Sequence, residues 1–82
     1  MALTVQVISP EKVLFEGTSP SVTAPAHDGE VGILPSHAPL MTLLGHGELR
    51  LGGGERFAVK GGFLQVADDV VRVVTEWAEQ RA

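Results

Sequence analysis

Glu55-Arg56-Phe57-Ala58-Val59-Lys60-Gly61-Gly62-Phe63-Leu64-Gln65-Val66-Ala67-Asp68-Asp69-Val70-Val71-Arg72-Val73-Val74-Thr75 is the stretch whose reading decides the fold class. Its apolar residues fall in short β-branched and aromatic runs, broken by Gly-Gly and Asp-Asp, which are turn formers. It predicts three strands. Gly61-Gly62 is expected to end the first, Glu55 to Lys60, and Asp68-Asp69 to fold Phe63 to Ala67 back antiparallel on Val70 to Thr75. Toward the amino terminus the same grammar continues, with Gly52-Gly53-Gly54 as a loop after Glu48 to Leu51 and Gly45-His46-Gly47 as a turn after Met41 to Leu44. Pro35 and Pro39 frame Ser36-His37-Ala38 as a rigid connector that is neither helical nor regularly paired. Asp28-Gly29 is a tight-turn signal between the Pro20, Val22, Ala24 stretch and the strand Glu30 to Leu34. Lys12 to Phe15 is a short strand closed by Glu16-Gly17, and Leu3, Val5 and Val7 alternate with Thr4 and Gln6.

About ten short strands with turns every few residues predict an all-β fold, an antiparallel β-sandwich, as one domain over residues 1–82. Eleven Val, two Ile and five Thr among 82 residues agree with strands rather than helices. Only Glu76 to Ala82 offers a helical reading, and seven residues are fewer than the ~12–15 an isolated helix needs. No substantial carboxy-terminal helical domain is expected.

Six basic against ten acidic residues leave a net charge of −4, which repels polyphosphate and disfavours a nucleic-acid partner. There is no cysteine, so disulfides, thiolate metal sites and a cysteine nucleophile are excluded. Apolar runs such as Val13-Leu14-Phe15 fall far below the ~20 residues of a membrane-spanning helix, and the first residues carry no signal-peptide pattern. Membrane association is therefore expected only through another protein.

The side chains that invite chemistry form no complete set. Neighbours in an extended chain point opposite ways, so Ser36-His37 is a poor nucleophile and base pair, and no Ser sits in a Gly-X-Ser-X-Gly elbow. His27, Asp28 and Glu30 flank a turn without metal-ligand spacing, and Glu55 after the triple glycine would repel a phosphate. No catalytic residue, metal or cofactor is expected. Phe15, Phe57 and Phe63 are read as core, whereas Trp77 fits either a cap on the sandwich or a protein contact. The stiff span His27 to Thr42 reads as a binding surface.

Gly29-Glu30-Val31-Gly32-Ile33-Leu34-Pro35-Ser36-His37-Ala38-Pro39-Leu40-Met41-Thr42 resembles the signature segment of the epsilon subunits of F-type ATP synthases. The resemblance extends through Val7-Ile8-Ser9-Pro10-Glu11, Phe15-Glu16-Gly17, Glu48-Leu49-Arg50, Lys60-Gly61-Gly62-Phe63-Leu64-Gln65-Val66 and Val70 to Thr75. It implies a ten-stranded β-sandwich and a noncatalytic place in the central stalk, gripping the gamma subunit and resting on the c-ring, so that proton flow is coupled to ATP synthesis. By position in the motif it implies gamma contact at Ser9, His37 and Thr42, and c-ring contact at Asp28, Gly29 and Glu30. The setting it implies is the cytoplasmic face of a bacterial inner membrane, an organelle being the other one. The competing reading is a small hydrolase or ligand-binding sandwich that uses His37 with Glu30 or Asp28.

Overall fold

Asp68 and Asp69 both adopt positive φ, 50° and 61°. A two-residue hairpin turn of type I′ requires that left-handed pair, because its twist matches the twist of the strands it joins. The turn links β7 (Arg56–Ala67) to β8 (Val70–Arg81) in antiparallel register, from Ala67 opposite Val70 to Arg56 opposite Arg81. The computed structural model describes residues 2–81. Six further strands precede the hairpin: β1 (Leu3–Ile8), β2 (Val13–Ser19), β3 (Val22–Ala26), β4 (Gly29–Ile33), β5 (Leu40–Leu43) and β6 (His46–Leu51). The hydrogen-bonded path runs β2-β1-β8-β7-β6-β3-β4, and β5 also pairs with β7.

One long strand serves both layers of the fold. On the edge of β7 away from β8, β6 pairs with residues 56–60 and β5 with residues 63–66. Inward-facing residues of β7 are Phe57 and Val59 before the glycines but Leu64 and Val66 after them. The parity of the strand inverts at Gly61-Gly62. In β8 the inversion lies opposite, with Val71, Val73 and Thr75 buried and then Ala78 packed against the core. Side chains from both halves therefore enter one apolar cluster, where they meet Leu3, Val5 and Val7 of β1, Val22 and Ala24 of β3, and Leu49 and Leu51 of β6. A sheet that turns its face over in mid-strand closes on itself as a sandwich. The first layer is β5, the second half of β7, the first half of β8, β1 and β2; the second is β4, β3, β6 and the remaining halves of β7 and β8.

Gly61 and Gly62 have φ of 71° and 106°, and a Cβ built on Gly62 would overlap the Val74 carbonyl oxygen and lie 2.6 Å from Thr75 Cα. Thr75 secures the bend with a buried hydroxyl 2.9 Å from the Gly61 carbonyl and 2.8 Å from that of Trp77. The other buried polar side chain among the described residues, Ser19, sits where β2 hands over to β3. It donates to Ser21 O at 2.7 Å and accepts from the Gly52 amide at 2.9 Å. Both hydroxyls thus satisfy backbone groups at points where the chain crosses between layers.

The expected antiparallel sandwich carries one parallel pair, β1 beside β8 from Thr4 opposite Val70 to Ile8 opposite Val74. The described residues form eight strands, near the expected number, and Gly61-Gly62 bends a continuous strand where the sequence predicts two. The segment after Thr75 is strand to Arg81 and not helix, since β7 supplies partners along its whole length; Ala82 lies outside the described residues. Phe57 is core and Phe15 packs edge-on against it at 6.3 Å between centroids, but Phe63 is outside the core because the inversion turns it to the outer face. Trp77 is exposed, with Lys60 Nζ 4.7 Å from its ring centroid.

Gly62→Ala should lower unfolding free energy in urea by at least about 3 kcal/mol, from overpacking against backbone and from the left-handed φ. Gly32→Ala, with no atom within 4 Å of the added Cβ, should stay within about 1 kcal/mol of the parent. Equal effects at the two sites would show that the close approach does not govern stability.

Candidate functional site

Strand register converts the sequence into two unlike outer faces. On the first layer, Leu43 of β5 lies opposite Phe63, Phe63 opposite Val74, Val74 beside Ile8, and Ile8 opposite Val13. Five apolar side chains therefore line up across five strands; Leu43, Phe63, Val74 and Ile8 each point away from the core because a strand neighbour is buried, and Val13 joins them by its pairing with Ile8. Leu43 and Val13 at the two ends are 62% and 56% exposed, and Met41, one step along β5, is 64% exposed. The adjoining row is polar: Gln65, Arg72, Gln6 and Glu16 follow one another across the strands. Arg72 Nε donates to Gln6 Oε1 at 3.3 Å, and Gln6 Nε2 donates to Glu16 Oε2 at 2.7 Å.

The second layer's outer face is charged. Arg50, Arg56 and Arg81 form one cross-strand row, and Glu48, Ala58 and Glu79 the next. The arginines face each other directly, and the attraction runs between rows: Arg50 reaches Glu30 on β4 at 3.2 Å and Glu48 along its own strand at 3.7 Å, while Arg56 reaches Glu48 on the diagonal at 3.6 Å. Such pairs on an exposed sheet keep it soluble.

The six residues singled out by resemblance fall on different parts of this frame. Ser9 closes the turn at the Ile8 end of the apolar row, its amide donating to Lys12 O at 2.9 Å and its hydroxyl to the same oxygen at 3.2 Å. Thr42 lies on β5 between exposed Met41 and Leu43, opposite Leu64, and its half-buried side chain faces inward. His37 lies in the connector between β4 and β5, half-buried, with Nδ1 2.7 Å from the Ala38 carbonyl oxygen. Ser9 and Thr42 thus border the apolar row at opposite margins. Asp28 occupies the His27-Asp28 turn of the β3–β4 hairpin, Gly29 and Glu30 open β4, and Glu30 is held by Arg50.

No contact joins His37 to Glu30, Asp28 or Ser9 among the described residues, and no three His, Asp or Glu there stand close enough to hold a cation. Two grooves beside Trp77, one lined by residues 11–14 and 77–80 and the other by His46, Lys60 and their neighbours, contain neither His37 nor Glu30. Among the described residues no hydrogen bond joins a nucleophile to a base in the manner of a catalytic pair. Residues that motif reading passed over, Ile8, Leu43, Phe63 and Val74, make the most distinctive surface. A signal for them exists in Val70-Val71-Arg72-Val73-Val74: Val71 and Val73 go inside, so Val74 is an apolar residue on the wet parity.

Residues 2–81 match the family model described as "ATP synthase, Delta/Epsilon chain, beta-sandwich domain". The chain is 46% identical over 77 residues to the ATP synthase epsilon chain of Leptospira borgpetersenii, an alignment covering 90% of this chain and 61% of that one. It is 43% identical over 86 residues to the ATP synthase epsilon chain of Nitrosococcus oceani, covering 100% of this chain and again 61% of the relative. The chain thus spans about three fifths of the length of these relatives. Among solved structures, a chain of the Euglena gracilis mitochondrial ATP synthase, in a complex of OSCP, F1 and c-ring, superposes with a TM-score of 0.87 at 24% identity. That overlap covers 96% of this chain and 53% of the other, and at this identity the likeness is one of fold.

The Glu30–Arg50 pair is exposed on both sides, which limits it to about 0.2–1 kcal/mol. Glu30→Gln should therefore destabilise by no more than about 1 kcal/mol in chemical denaturation, with the difference shrinking at high salt. A larger, salt-insensitive loss would mean that the charge lattice is structural.

Proposed function

This chain belongs to the ATP synthase delta/epsilon-chain β-sandwich family, and from that premise we propose that it is a noncatalytic component of the central stalk that docks on gamma through the first layer's outer face. The single observation that carries this reading is the apolar row Leu43, Phe63, Val74, Ile8 and Val13, crossing five strands of a sheet whose opposite layer is sheathed in charge. Apolar area exposed in a continuous line is what a protein partner covers. Ser9 and Thr42 adjoin the row beside Ile8 and Leu43, Thr42 with its side chain turned inward and so offering gamma its backbone, and Ser36 ties the connector that carries His37 to the β7–β8 turn of the same layer. A prefixed surface loses little ordering entropy on binding.

The β3–β4 hairpin, with Asp28, Gly29 and Glu30 at its tip, is on this reading the part that meets the c-ring. Its exposed carboxylate, shared with Arg50, steers and registers the approach of a basic ring loop rather than supplying a large affinity. The working location is then the cytoplasmic face of a bacterial inner membrane, held there by the complex. Torque passes through a part whose close-packed interior deforms little.

Leu43→Asp should cut affinity for gamma at least 10-fold in a titration by calorimetry, with the melting temperature unchanged, because the side chain is exposed in the free chain. Glu79→Lys on the charged layer is the matched control. Retention of full affinity by Leu43→Asp would sink the docking assignment. For the ring, Glu30→Lys should lower proton-coupled ATP synthesis in reconstituted vesicles while leaving ATP hydrolysis by the detached soluble part unaltered, and equal coupling at low and high salt would remove Glu30 from that contact.

A further inference from the structure

Leu34-Pro35-Ser36-His37 is a turn closed by the His37 amide donating to Leu34 O at 3.2 Å. Proline in its second position and a positive φ in its third, 68° at Ser36, are the marks of a type II turn. Glycine is the ordinary occupant of that third position, because an L side chain is strained there. Serine persists in such a conformation only where its surroundings hold it.

The holder is visible on the neighbouring hairpin. Asp69, half-buried in the β7–β8 turn, accepts the Ser36 amide on Oδ1 at 2.6 Å. Its own carbonyl oxygen accepts the Thr4 amide at 2.8 Å, which fixes the carboxylate relative to β1. A charged acceptor on an otherwise solvent-facing amide is among the stronger hydrogen bonds a loop can make. Two left-handed turns, one following a strand of the second layer and one within the first, are thereby clasped together. We infer that Asp69 is a positioning residue for the docking surface: its carboxylate captures the Ser36 amide and fixes the proline-framed connector that presents His37.

This inference rests on the gamma reading, and the test keeps the two apart. Three variants of the full chain are compared: Asp69→Gly, which suits the left-handed turn but removes the acceptor; Asp69→Asn, which keeps both; and Asp69→Gly in a Ser36→Gly background. Hydrogen exchange at the Ser36 amide reads the clasp itself, and titration with gamma reads its consequence. Asp69→Gly should speed Ser36 exchange at least about 10-fold and weaken gamma about 3- to 10-fold, while the thermal midpoint holds. Asp69→Asn should stay within about twofold of the parent in both readouts, since its amide oxygen still accepts. In the Ser36→Gly background the same Asp69→Gly change should cost less than half as many fold, because glycine holds the turn without the clasp. Unchanged Ser36 exchange in Asp69→Gly overturns the clasp, and faster exchange with unchanged gamma affinity overturns its positioning role. If the parent chain fails to bind gamma at all, the docking reading falls and the exchange comparison still decides whether Asp69 orders the connector.

Discussion

The contact on which this architecture depends is the approach of the Gly62 α-carbon to the Val74 carbonyl, closer than any side chain permits. That approach lets a hairpin of two twelve-residue strands turn its faces over without breaking register: Lys60 still faces Trp77 and Gly62 still faces Thr75. Without the bend, Leu64 and Val66 would lie on the opposite face of the strand from Phe57 and Val59, and one of the two sets would meet water. With it, both halves serve one core, and the remaining strands have only to add to edges that β7 and β8 already provide. The buried Thr75 hydroxyl is the complement of that geometry, since a bent ladder leaves carbonyls pointing where no strand can reach them.

The same bend sorts the surface. Because it inverts parity, Phe63 and Val74 leave the core and join Leu43, Ile8 and Val13 outside, whereas beyond the bend the outward positions hold Arg56, Lys60, Glu79 and Arg81. The small sandwich is consequently two-faced, with an apolar row beside a polar one on the first layer and a mainly charged surface, broken by Trp77, on the second. On the proposed docking, orientation follows from that difference, because burying the charged layer would require desolvating several ion pairs whose attraction in water is small.

Much of this was legible in the amino-acid order and some was not, for reasons that can be located. The alternation of Leu3, Val5 and Val7, the Asp68-Asp69 turn and the stiff Pro35–Pro39 connector are local signals, and the structure realises all three. Gly61-Gly62 was the point of ambiguity, since two glycines with positive φ suit the end of a strand as well as a fold within one. Local chemistry is the same in both cases, and only the partners on either side decide. Residues 76–81 are strand for a similar reason, being short and polar yet supplied with a ladder by β7. Ser9, His37 and Thr42 lie in distinctive sequence, whereas the apolar row draws one residue from each of five strands, and its one linear trace is Val74 on the outward parity of β8. Asp69 carries no such signal, because an Asp in a tight turn already has a sufficient local explanation.

The parallel pairing of β1 with β8 has a consequence for how the protein is made. Gln6 and Arg72 are neighbours in space and 66 positions apart in the chain, so β1 and β8 can pair only after every strand between them has been made. Until Val70 to Val74 are in place, β1 has only β2 hydrogen-bonded to it and its other edge is open. Through that interval the open edge of β1 is a place where strands can join the wrong neighbours. Loss of β8 would cost the fold the place of β1 together with its own.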